Sequence, residues 1–237
     1  MGAADAMISA LTKNDADAIR PALQVIGVEQ GVKKIAGMYL LLTKKGPLFL
    51  ADTTINFNPT AEELAEITLL VAREVGNFNI VPKIAMMSYS NFGSNPAPEA
   101  RLVAEATKIV KQKNPSLIVD GEMQAWLPFN REVLKENYGF SSLVDQDVNT
   151  LIFPNLTAGN VAYNLLKEVG GAELIGPILL GMKKPVHVLQ LGSSVRNIIN
   201  MANIAVLDAQ LKWTAHDPTA LVIQHCWKKL KALHGLE

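Results

Sequence analysis

Apolar residues recur at helical spacing over residues 3–27, and Gly27 ends the pattern. The predicted core face of this helix carries Ile8, Leu11, Ile19, Leu23 and Ile26. Two apolar runs follow at 35–43 and 47–54, and Lys44-Lys45-Gly46 separates them. Because glycine readily takes the positive φ of a tight turn, the two runs predict a β-hairpin.

Strand and helix patterns alternate from residue 60 onward. Thr60 and Glu63 form a capping box, which predicts a helix whose apolar face carries Leu64, Ile67, Leu70, Val71 and Val75. The further predicted strands lie at 83–90, 117–122, 150–154, 175–180 and 185–189. The further predicted helices lie at 96–113, 130–137, 157–169 and 193–210, with a weaker pattern at 218–234. This alternation is typical of a three-layer α/β/α sandwich with buried parallel strands and right-handed crossovers.

Composition narrows the possible functions. Hydrophobic residues make up 49% of the 237 positions, which excludes a disordered chain, and 22 basic residues balance 22 acidic ones. Without a basic excess, binding to nucleic acid or to an anionic membrane surface is not expected. The single Cys226 and four histidines leave no Cys/His cluster for zinc, and the sequence shows no export signal, so we expect a cytoplasmic protein.

Three loops that follow predicted strands are candidates for ligand binding, because helix N-termini point backbone N–H groups outward at these places. The loop 88–94 has three serines and a glycine, and either holds a phosphate or carboxylate or serves only as a cap and turn. The loop 155–160 allows the same two interpretations, with Asn155 or Thr157 as the cap. The third segment runs from Lys183-Lys184 through a strand to Ser193-Ser194, and paired lysines in a turn are usually only solvated.

Other polar residues are weaker candidates. Asp120 and Glu122 lie two residues apart at a strand end and are predicted to make a poor acid–base pair. His187 lies within an apolar strand and is interpreted as a buried structural histidine. The sequence contains no G-x-S-x-G, P-loop or G-x-G-x-x-G motif, which argues against a serine hydrolase, a nucleotide hydrolase and a Rossmann cofactor site.

Short motifs over about residues 3–210 resemble those of phosphate acetyltransferases in order and spacing. They are Ala4-Asp5-Ala6-Met7, Ile19-Arg20-Pro21-Ala22-Leu23-Gln24, Asn58-Pro59-Thr60-Ala61-Glu62, Asp120-Gly121, Ile152-Phe153-Pro154, Ala158-Gly159-Asn160, Gly171-Ala172, Ile175-Gly176-Pro177 and Lys184-Pro185-Val186. The resemblance implies acetyl transfer between phosphate and coenzyme A, in a cleft between two α/β lobes of the isocitrate/isopropylmalate dehydrogenase-like type. It implies that residues 1–30 and 182–237 belong to an incomplete first lobe, part of which would precede Met1, and that residues 31–181 form the second lobe.

The chain departs from this family at the positions of the family's catalytic residues. The serine and arginine that handle the thiol and phosphoryl groups are replaced by Gln190 and Leu191, and the aspartate proposed as base is replaced by Asn197. Leucine cannot bind phosphate, and an amide cannot take up a proton at neutral pH. We therefore expect no catalytic residues for acetyl transfer, whereas Arg20 matches an arginine of the family and is compatible with a surviving anion subsite.

Further motifs are similar to the C-terminal phosphotransacetylase-like domain of the large hybrid bacterial malic enzymes. They are Ala51-Asp52-Thr53, the segments 61–68 and 88–94, Asp120-Gly121-Glu122-Met123 and the segment 184–189. The resemblance implies a separate catalytic part that decarboxylates malate to pyruvate with NAD(P) and a divalent metal. It implies that the appended domain assembles homo-oligomers and lets acetyl-CoA regulate the enzyme. Within the domain itself, no cofactor and no metal ligand are expected.

The resemblance places the effector-binding residues around one cleft. They are Arg20, Ser90, Ser94, Thr157, Gly159, Asn160, Lys184, Gln190, Asn197 and Asn200. Lys184 is expected to contact a phosphate group and Asn160 an amide of the pantetheine arm. Two alternatives stay open, which are an active phosphate acetyl/butyryl transferase that forms acetyl-CoA from acetyl phosphate and CoA, and a purely structural dimerisation module.

An apolar stripe on the helix predicted at 193–210 bears on assembly. The residues of the stripe are Val195, Ile198, Ile199, Ala202, Val206 and Ala209. With Trp213 and Leu221 nearby, the stripe offers more apolar surface than one sheet face needs, although it could also serve only to cover its own sheet. We therefore predict at least a dimer.

Overall fold

The computed structural model describes residues 4–9, 15–171, 173–190 and 192–214 of the chain. The chain divides into two compact units, the first within 1–35 and 174–237 and the second within 36–173. The sequence prediction places the boundaries at 30/31 and 181/182. By the division in the structure, residues 31–35 and 174–181 lie with the first unit, whereas the prediction assigns them to the second lobe.

Three strands pair among the described residues of the first unit: β1 (Met7–Ser9), β7 (Glu173–Leu180) and β8 (Val186–Val188). β8 is the middle strand, parallel to β1 and antiparallel to β7. The helices α1 (Asp15–Val25) and α6 (Val195–Thr214) both contact β8. The expectation of parallel strands is therefore wrong for the β7–β8 pair.

The helix predicted for residues 3–27 is wrong at its start, because residues 7–9 form β1. A distant segment stabilises this strand, since the Met7 N–H donates to Pro185 O at 2.9 Å and the Leu189 N–H donates to Ser9 O at 2.8 Å. Ile8 is 37% exposed and not a core residue, whereas Ile19 is buried as predicted. Leu11 lies outside the described residues.

The described part of the second unit contains five paired strands in the order β2–β3–β6–β4–β5. They are β2 (Ala36–Thr43), β3 (Gly46–Ala51), β4 (Lys83–Met87), β5 (Ile118–Met123) and β6 (Thr150–Ile152). β2 and β3 pair antiparallel, and the other neighbouring strands pair parallel. The predicted hairpin is thus confirmed. Its turn is Lys44-Lys45, because Thr43 pairs with Gly46, which opens β3 at a φ of +114°.

The helices of the second unit are α2 (Ala61–Asn77), α3 (Pro98–Lys113), α4 (Arg131–Asn137) and α5 (Leu156–Glu168). The predicted capping box of α2 is confirmed, since the Glu63 N–H donates to Thr60 Oγ1 at 3.3 Å and the Thr60 N–H donates to Glu63 Oε2 at 3.0 Å. The predicted apolar face of α2 is buried in the core. α2 packs against α3 and against both strands of the hairpin.

The helix predicted at 218–234, together with Leu221, lies outside the described residues. None of the helices that the structure describes is long and apolar enough to cross a membrane.

Candidate functional site

The loop 88–95, which follows β4, surrounds the buried side chain of Glu122 on β5. Glu122 Oε1 accepts the Ser90 hydroxyl at 2.8 Å and the Gly93 N–H at 2.6 Å. The Phe92 N–H donates to the carbonyl oxygen of Glu122 at 2.9 Å. Gly93 takes a φ of +85°, which glycine adopts without steric cost. One of the chain's own carboxylates thus lies where the sequence allows a bound anion.

Other donors of this loop are also satisfied within the chain. The Asn91 N–H donates to Ser94 Oγ at 2.9 Å, and the Asn95 N–H donates to Ser90 Oγ at 3.0 Å. The Ser90 and Ser94 hydroxyl oxygens lie 3.2 Å apart, with Ser90 fully buried and Ser94 exposed. The interpretation of this loop as a cap and turn is therefore favoured for its backbone, while the Ser94 side chain reaches solvent.

Tyr89 adds a hydroxyl group to the surface of the same loop. It is 50% exposed, and its hydroxyl donates to Glu99 Oε2 at 3.4 Å. Partial desolvation, together with the negative charge of Glu99, raises the pKa of Tyr89. The phenol therefore stays protonated at neutral pH and acts as a donor.

A second buried carboxylate organises the loop after β3. Asp52 is 3% exposed. Its oxygens accept backbone N–H groups at 2.9 to 3.2 Å from Gly37, Thr54, Ile55 and Asn56. The side-chain amide of Asn56 also donates to Asp52. These bonds replace the water that a carboxylate otherwise requires, and they hold the loop in one conformation.

The first turns of α5 pack against this loop. Asn155 Oδ1 accepts the Ala158 N–H at 2.9 Å, so the cap is Asn155 and not Thr157. A Cβ atom on Gly159 would lie 2.4 Å from the carbonyl oxygen of Asp52, closer than such atoms approach in proteins. Gly159 is therefore needed for the packing of α5. Its predicted contact with an effector stays a prediction.

Thr157 and Asn160 lie exposed near the start of α5. The side-chain amide of Asn164 donates to Asn160 Oδ1 at 3.1 Å and to the Asn160 carbonyl oxygen at 3.0 Å. The oxygen of the Asn160 side chain is therefore engaged, and its amide nitrogen can donate to a ligand.

Asp120, the other acidic residue of β5, has its own partners. It accepts Lys111 Nζ at 2.6 Å, and it accepts the Ser141 hydroxyl and the Ser142 N–H at 2.9 Å each. Glu122 bonds to the loop 88–95 instead. The two carboxylates thus stabilise different segments, in agreement with the interpretation that they do not form an acid–base pair.

The first unit contains a segment of different character, at 174–207. No acidic residue occurs in this segment, and its positive charges are Lys183, Lys184 and Arg196. Lys184 Nζ lies 3.9 Å from Asp5 Oδ1, and both side chains are more than half exposed. Such a surface pair contributes little to stability, so the Lys184 ammonium can exchange this contact for a ligand anion.

The turn between β8 and α6 is fixed by local hydrogen bonds. The Ser193 N–H and hydroxyl both donate to the Gln190 carbonyl oxygen, at 3.1 and 2.7 Å. Ser194 Oγ accepts the Asn197 N–H at 3.2 Å and caps the start of α6. Asn200, three residues further along α6, is buried.

The predicted effector residues fall into two groups. Those of the second unit are Ser90, Ser94, Thr157, Gly159 and Asn160. Those of the first unit are Arg20, which is exposed on α1, and Lys184, Gln190, Asn197 and Asn200. The structure brings Ser90 and Ser94 into contact, and it gathers Thr157, Gly159 and Asn160 on the first turns of α5. The common cleft for all ten residues stays a prediction.

A buried histidine–carboxylate contact joins β8 to α6. His187 Nε2 lies 2.9 Å from Asp208 Oδ2, and the two side chains are 0% and 9% exposed. His187 is therefore a buried structural residue, as interpreted. Asp208 is not among the predicted functional residues, although a lone acidic residue after a long apolar segment is a usable signal for a buried pair. Among the described residues, no group of three or more His, Cys, Asp or Glu side chains could hold a metal ion.

Comparison with known proteins gives consistent matches. The phosphate acetyl/butaryl transferase family matches residues 1–206. The chain is 43% identical over 210 residues to an NADP-dependent malic enzyme of Haemophilus influenzae, covering 89% of this chain and 28% of the malic enzyme. It is 38% identical over 208 residues to a phosphate acetyltransferase of Bacillus subtilis, covering 88% and 64% of the two chains.

A solved structure supports the same relationship. The crystal structure of a phosphotransacetylase from Streptococcus pyogenes matches with a TM-score of 0.83 and 40% identity, covering 88% of this chain and 64% of that one. The mixed α/β fold with its helices is therefore that of the phosphotransacetylases. The description as isocitrate/isopropylmalate dehydrogenase-like stays a prediction. The chain spans under a third of the malic enzyme and just under two thirds of the phosphate acetyltransferase.

Proposed function

The chain belongs to the phosphate acetyl/butaryl transferase family, and from this premise we propose that it is a regulatory domain of a malic enzyme without transferase activity of its own. In this proposal it binds acetyl-CoA as an allosteric effector and assembles the enzyme into oligomers. NAD(P) and the divalent metal for oxidative decarboxylation of malate would be bound by a catalytic part outside this chain. The 43% identity to a malic enzyme, over only 28% of that enzyme, supports a domain of this kind.

The chemistry of the segment 174–207 carries the proposal. It contains no carboxylate that could take up the thiol proton of CoA, and the position of the family's aspartate is held by Asn197. Gln190 engages Ser193 through its backbone oxygen, and its side chain has no acid–base function. Leu191, in place of the family's arginine, lies outside the described residues. Acetyl transfer would thus lack both its base and its phosphate clamp.

The same segment favours binding of a polyanion. Lys183, Lys184 and Arg196 attract the phosphates of CoA, with Asp5 only in a loose surface contact to Lys184, and the N-terminus of α6 adds its partial positive charge. A domain that has lost catalytic groups but kept a cationic segment fits an effector site better than an active site. It also fits an effector site better than a purely structural module.

An active phosphate acetyl/butyryl transferase is the second candidate. The 38% identity to a phosphate acetyltransferase and the 40% identity to a solved phosphotransacetylase both favour it. In that case the proton acceptor and the phosphate clamp would come from residues other than those at 190, 191 and 197.

Two measurements on the unmodified chain separate these candidates. We expect calorimetry to show one saturable site for acetyl-CoA, and we expect no formation of acetyl-CoA from acetyl phosphate and CoA. The Bacillus subtilis phosphate acetyltransferase serves as the positive control in the assay. Turnover of about 1 per second or more, a rate typical of enzymes, would establish the transferase instead. Absence of both binding and turnover would leave a structural module.

Assembly has its own structural support in α6. Three residues of its predicted apolar stripe are exposed to solvent, with Val195 at 73%, Ile199 at 50% and Val206 at 47%. Burying such side chains against a second copy is favourable, and a stable dimer buries on the order of 1,000 Å² or more. We expect sedimentation at micromolar concentration to give at least a dimer, and a monomer would exclude the assembly role.

A further inference from the structure

A chain of hydroxyl groups leads from the buried Glu122 to the surface at Ser94. Glu122 Oε1 accepts the Ser90 hydroxyl at 2.8 Å and the Gly93 N–H at 2.6 Å. Because a carboxylate oxygen has no proton to donate, Glu122 Oε1 is the acceptor for both groups. The single proton of the Ser90 hydroxyl therefore points at Glu122.

With its proton used, Ser90 Oγ can only accept from its other neighbours. These are the Asn95 N–H at 3.0 Å and the Ser94 hydroxyl at 3.2 Å. The Ser94 hydroxyl must then donate to Ser90, while it accepts the Asn91 N–H at 2.9 Å. A hydroxyl oxygen has two lone pairs, so one is left on Ser94. Because Ser94 is exposed, its hydroxyl presents an acceptor to the solvent.

We infer that Glu122 is a positioning residue that makes Ser94 a hydrogen-bond acceptor for a bound ligand. The ligand group that fits is a donor, such as the amide N–H or hydroxyl groups of a pantetheine arm. A phosphate gains little at this place, because its oxygens need donors and Glu122 is negatively charged. The identification of the ligand as a CoA ester rests on the proposed function, whereas the direction of the hydroxyl protons does not.

Neutron diffraction from deuterated crystals of the chain tests the proton directions without any ligand. The deuterium of Ser90 is expected to lie toward Glu122 Oε1, and the deuterium of Ser94 is expected to lie toward Ser90 Oγ. A Ser94 deuterium directed at solvent would overturn the inference, whatever the chain binds.

Calorimetry with pantetheine and inorganic phosphate as separate probes tests the recognition. Ser94→Ala is expected to weaken pantetheine binding about two- to tenfold, as for one neutral hydrogen bond, and to leave phosphate binding unchanged. Ser116→Ala, which removes an exposed turn serine of the same unit, is the matched control. An equal loss for both probes, or no loss for pantetheine, would contradict the inference.

Two substitutions of Glu122 separate positioning from general stability. Glu122→Gln keeps a carbonyl oxygen for both donors, so its pantetheine binding is expected to equal that of the unmodified chain. Glu122→Ala releases the Ser90 proton and is expected to reduce the preference for pantetheine over phosphate. If Glu122→Gln binds pantetheine as weakly as Ser94→Ala does, the positioning role is wrong, and this comparison holds even where Glu122→Ala does not fold.

Failure of the proposed function gives a different result. If the unmodified chain binds neither acetyl-CoA nor pantetheine, the CoA-ester ligand is wrong for both proposals. The neutron measurement still decides whether Glu122 orients the two hydroxyls.

Discussion

The two units differ in the charged residues that their polar segments contain. In the second unit, the buried carboxylates of Asp52, Asp120 and Glu122 accept hydrogen bonds from backbone N–H and hydroxyl groups of the surrounding loops and from the Lys111 ammonium of α3. In the first unit, the segment 174–207 combines three positive charges and a helix start with no acidic residue. A loop that already contains a carboxylate gains little from an external anion, because both compete for the same donors. We therefore expect the phosphates of an effector at the first unit, and neutral contacts at the second.

The largest effect is expected for Asp52→Ala, which removes the acceptor of four backbone N–H groups in a buried loop. Each buried donor left without a partner costs about 1–3 kcal/mol. Allowing for partial access of water, we expect the free energy of unfolding to fall by about 3 kcal/mol or more, measured by urea denaturation.

Asp147→Ala is the matched control for this measurement, because Asp147 pairs with Arg131 on the surface and both are exposed. Its expected effect on the free energy of unfolding is small, because an exposed ion pair contributes little to stability. If both variants lose the same free energy of unfolding, the prediction is wrong, since Asp52 would then not be a structural carboxylate.

Lys184→Ala tests whether the first unit binds the phosphate groups of the effector. Loss of one charge-assisted contact to a phosphate is expected to weaken acetyl-CoA binding by about 1.5–3 kcal/mol, roughly ten- to a hundredfold. Asn160→Ala, which removes a neutral amide donor, is expected to weaken binding by about two- to tenfold. Calorimetry measures both changes.

Lys44→Ala is the control, since Lys44 is an exposed lysine in the hairpin turn of the second unit. If neither Lys184→Ala nor Asn160→Ala binds acetyl-CoA more weakly than Lys44→Ala, the assignment of the site is wrong. That result would hold even if the chain binds acetyl-CoA elsewhere.

Two helical glycines of the second unit differ in the space that a Cβ atom would have. A Cβ at position 159 meets the Asp52 backbone at 2.4 Å, whereas a Cβ at position 76 meets nothing within 4 Å. We expect Gly159→Ala to destabilise the chain by about 1–3 kcal/mol, and Gly76→Ala to stabilise it by about 0.5–1 kcal/mol. Thermal unfolding of both variants measures the difference. If Gly159→Ala retains full stability and loses only acetyl-CoA binding, position 159 is a ligand contact and not a packing position.

The smallest effect concerns an exposed carboxylate. A hydrogen bond from Arg131, reinforced by its positive charge, lowers the pKa of Asp147. A carboxyl group with a lowered folded-state pKa contributes stability above its unfolded pKa of about 3.9, and this contribution is lost as the pH falls through the folded value. In Arg131→Ala, the pKa of Asp147 is expected to rise, as measured by NMR titration. An unchanged pKa would show that the surface pair does not persist in solution.

Much of the fold follows from local sequence patterns. The hairpin around Lys44-Lys45, the capping box of Thr60 and Glu63, and the helix that starts after Asn130 are each specified by neighbouring residues, and the structure contains all three. β1 was missed, because a three-residue strand has too few positions to show its period. Its strand conformation depends on hydrogen bonds to a segment near residues 185–189.

The candidate site follows the same division. The loops 88–94 and 155–160 could be located from their serine, glycine and asparagine content, because turns and caps use those residues for local reasons. Their internal partners could not be located. Glu122 reaches the loop 88–95 only because β4 and β5 are adjacent in the sheet, and Asp52 reaches Gly37 only because β2 and β3 pair.

The sequence alone was enough to predict most of the alternation of strands and helices, the helix caps and the family resemblance, since each depends on residue identity or short spacing. The replacement of the family's catalytic side chains at 190, 191 and 197 is likewise a prediction from residue identity. Only the tertiary structure decided the order of the strands, the antiparallel β7–β8 pair and the occupation of the loop 88–95 by Glu122. These features arise when segments distant in sequence satisfy one another's buried polar groups. No local pattern records which distant partner will do so.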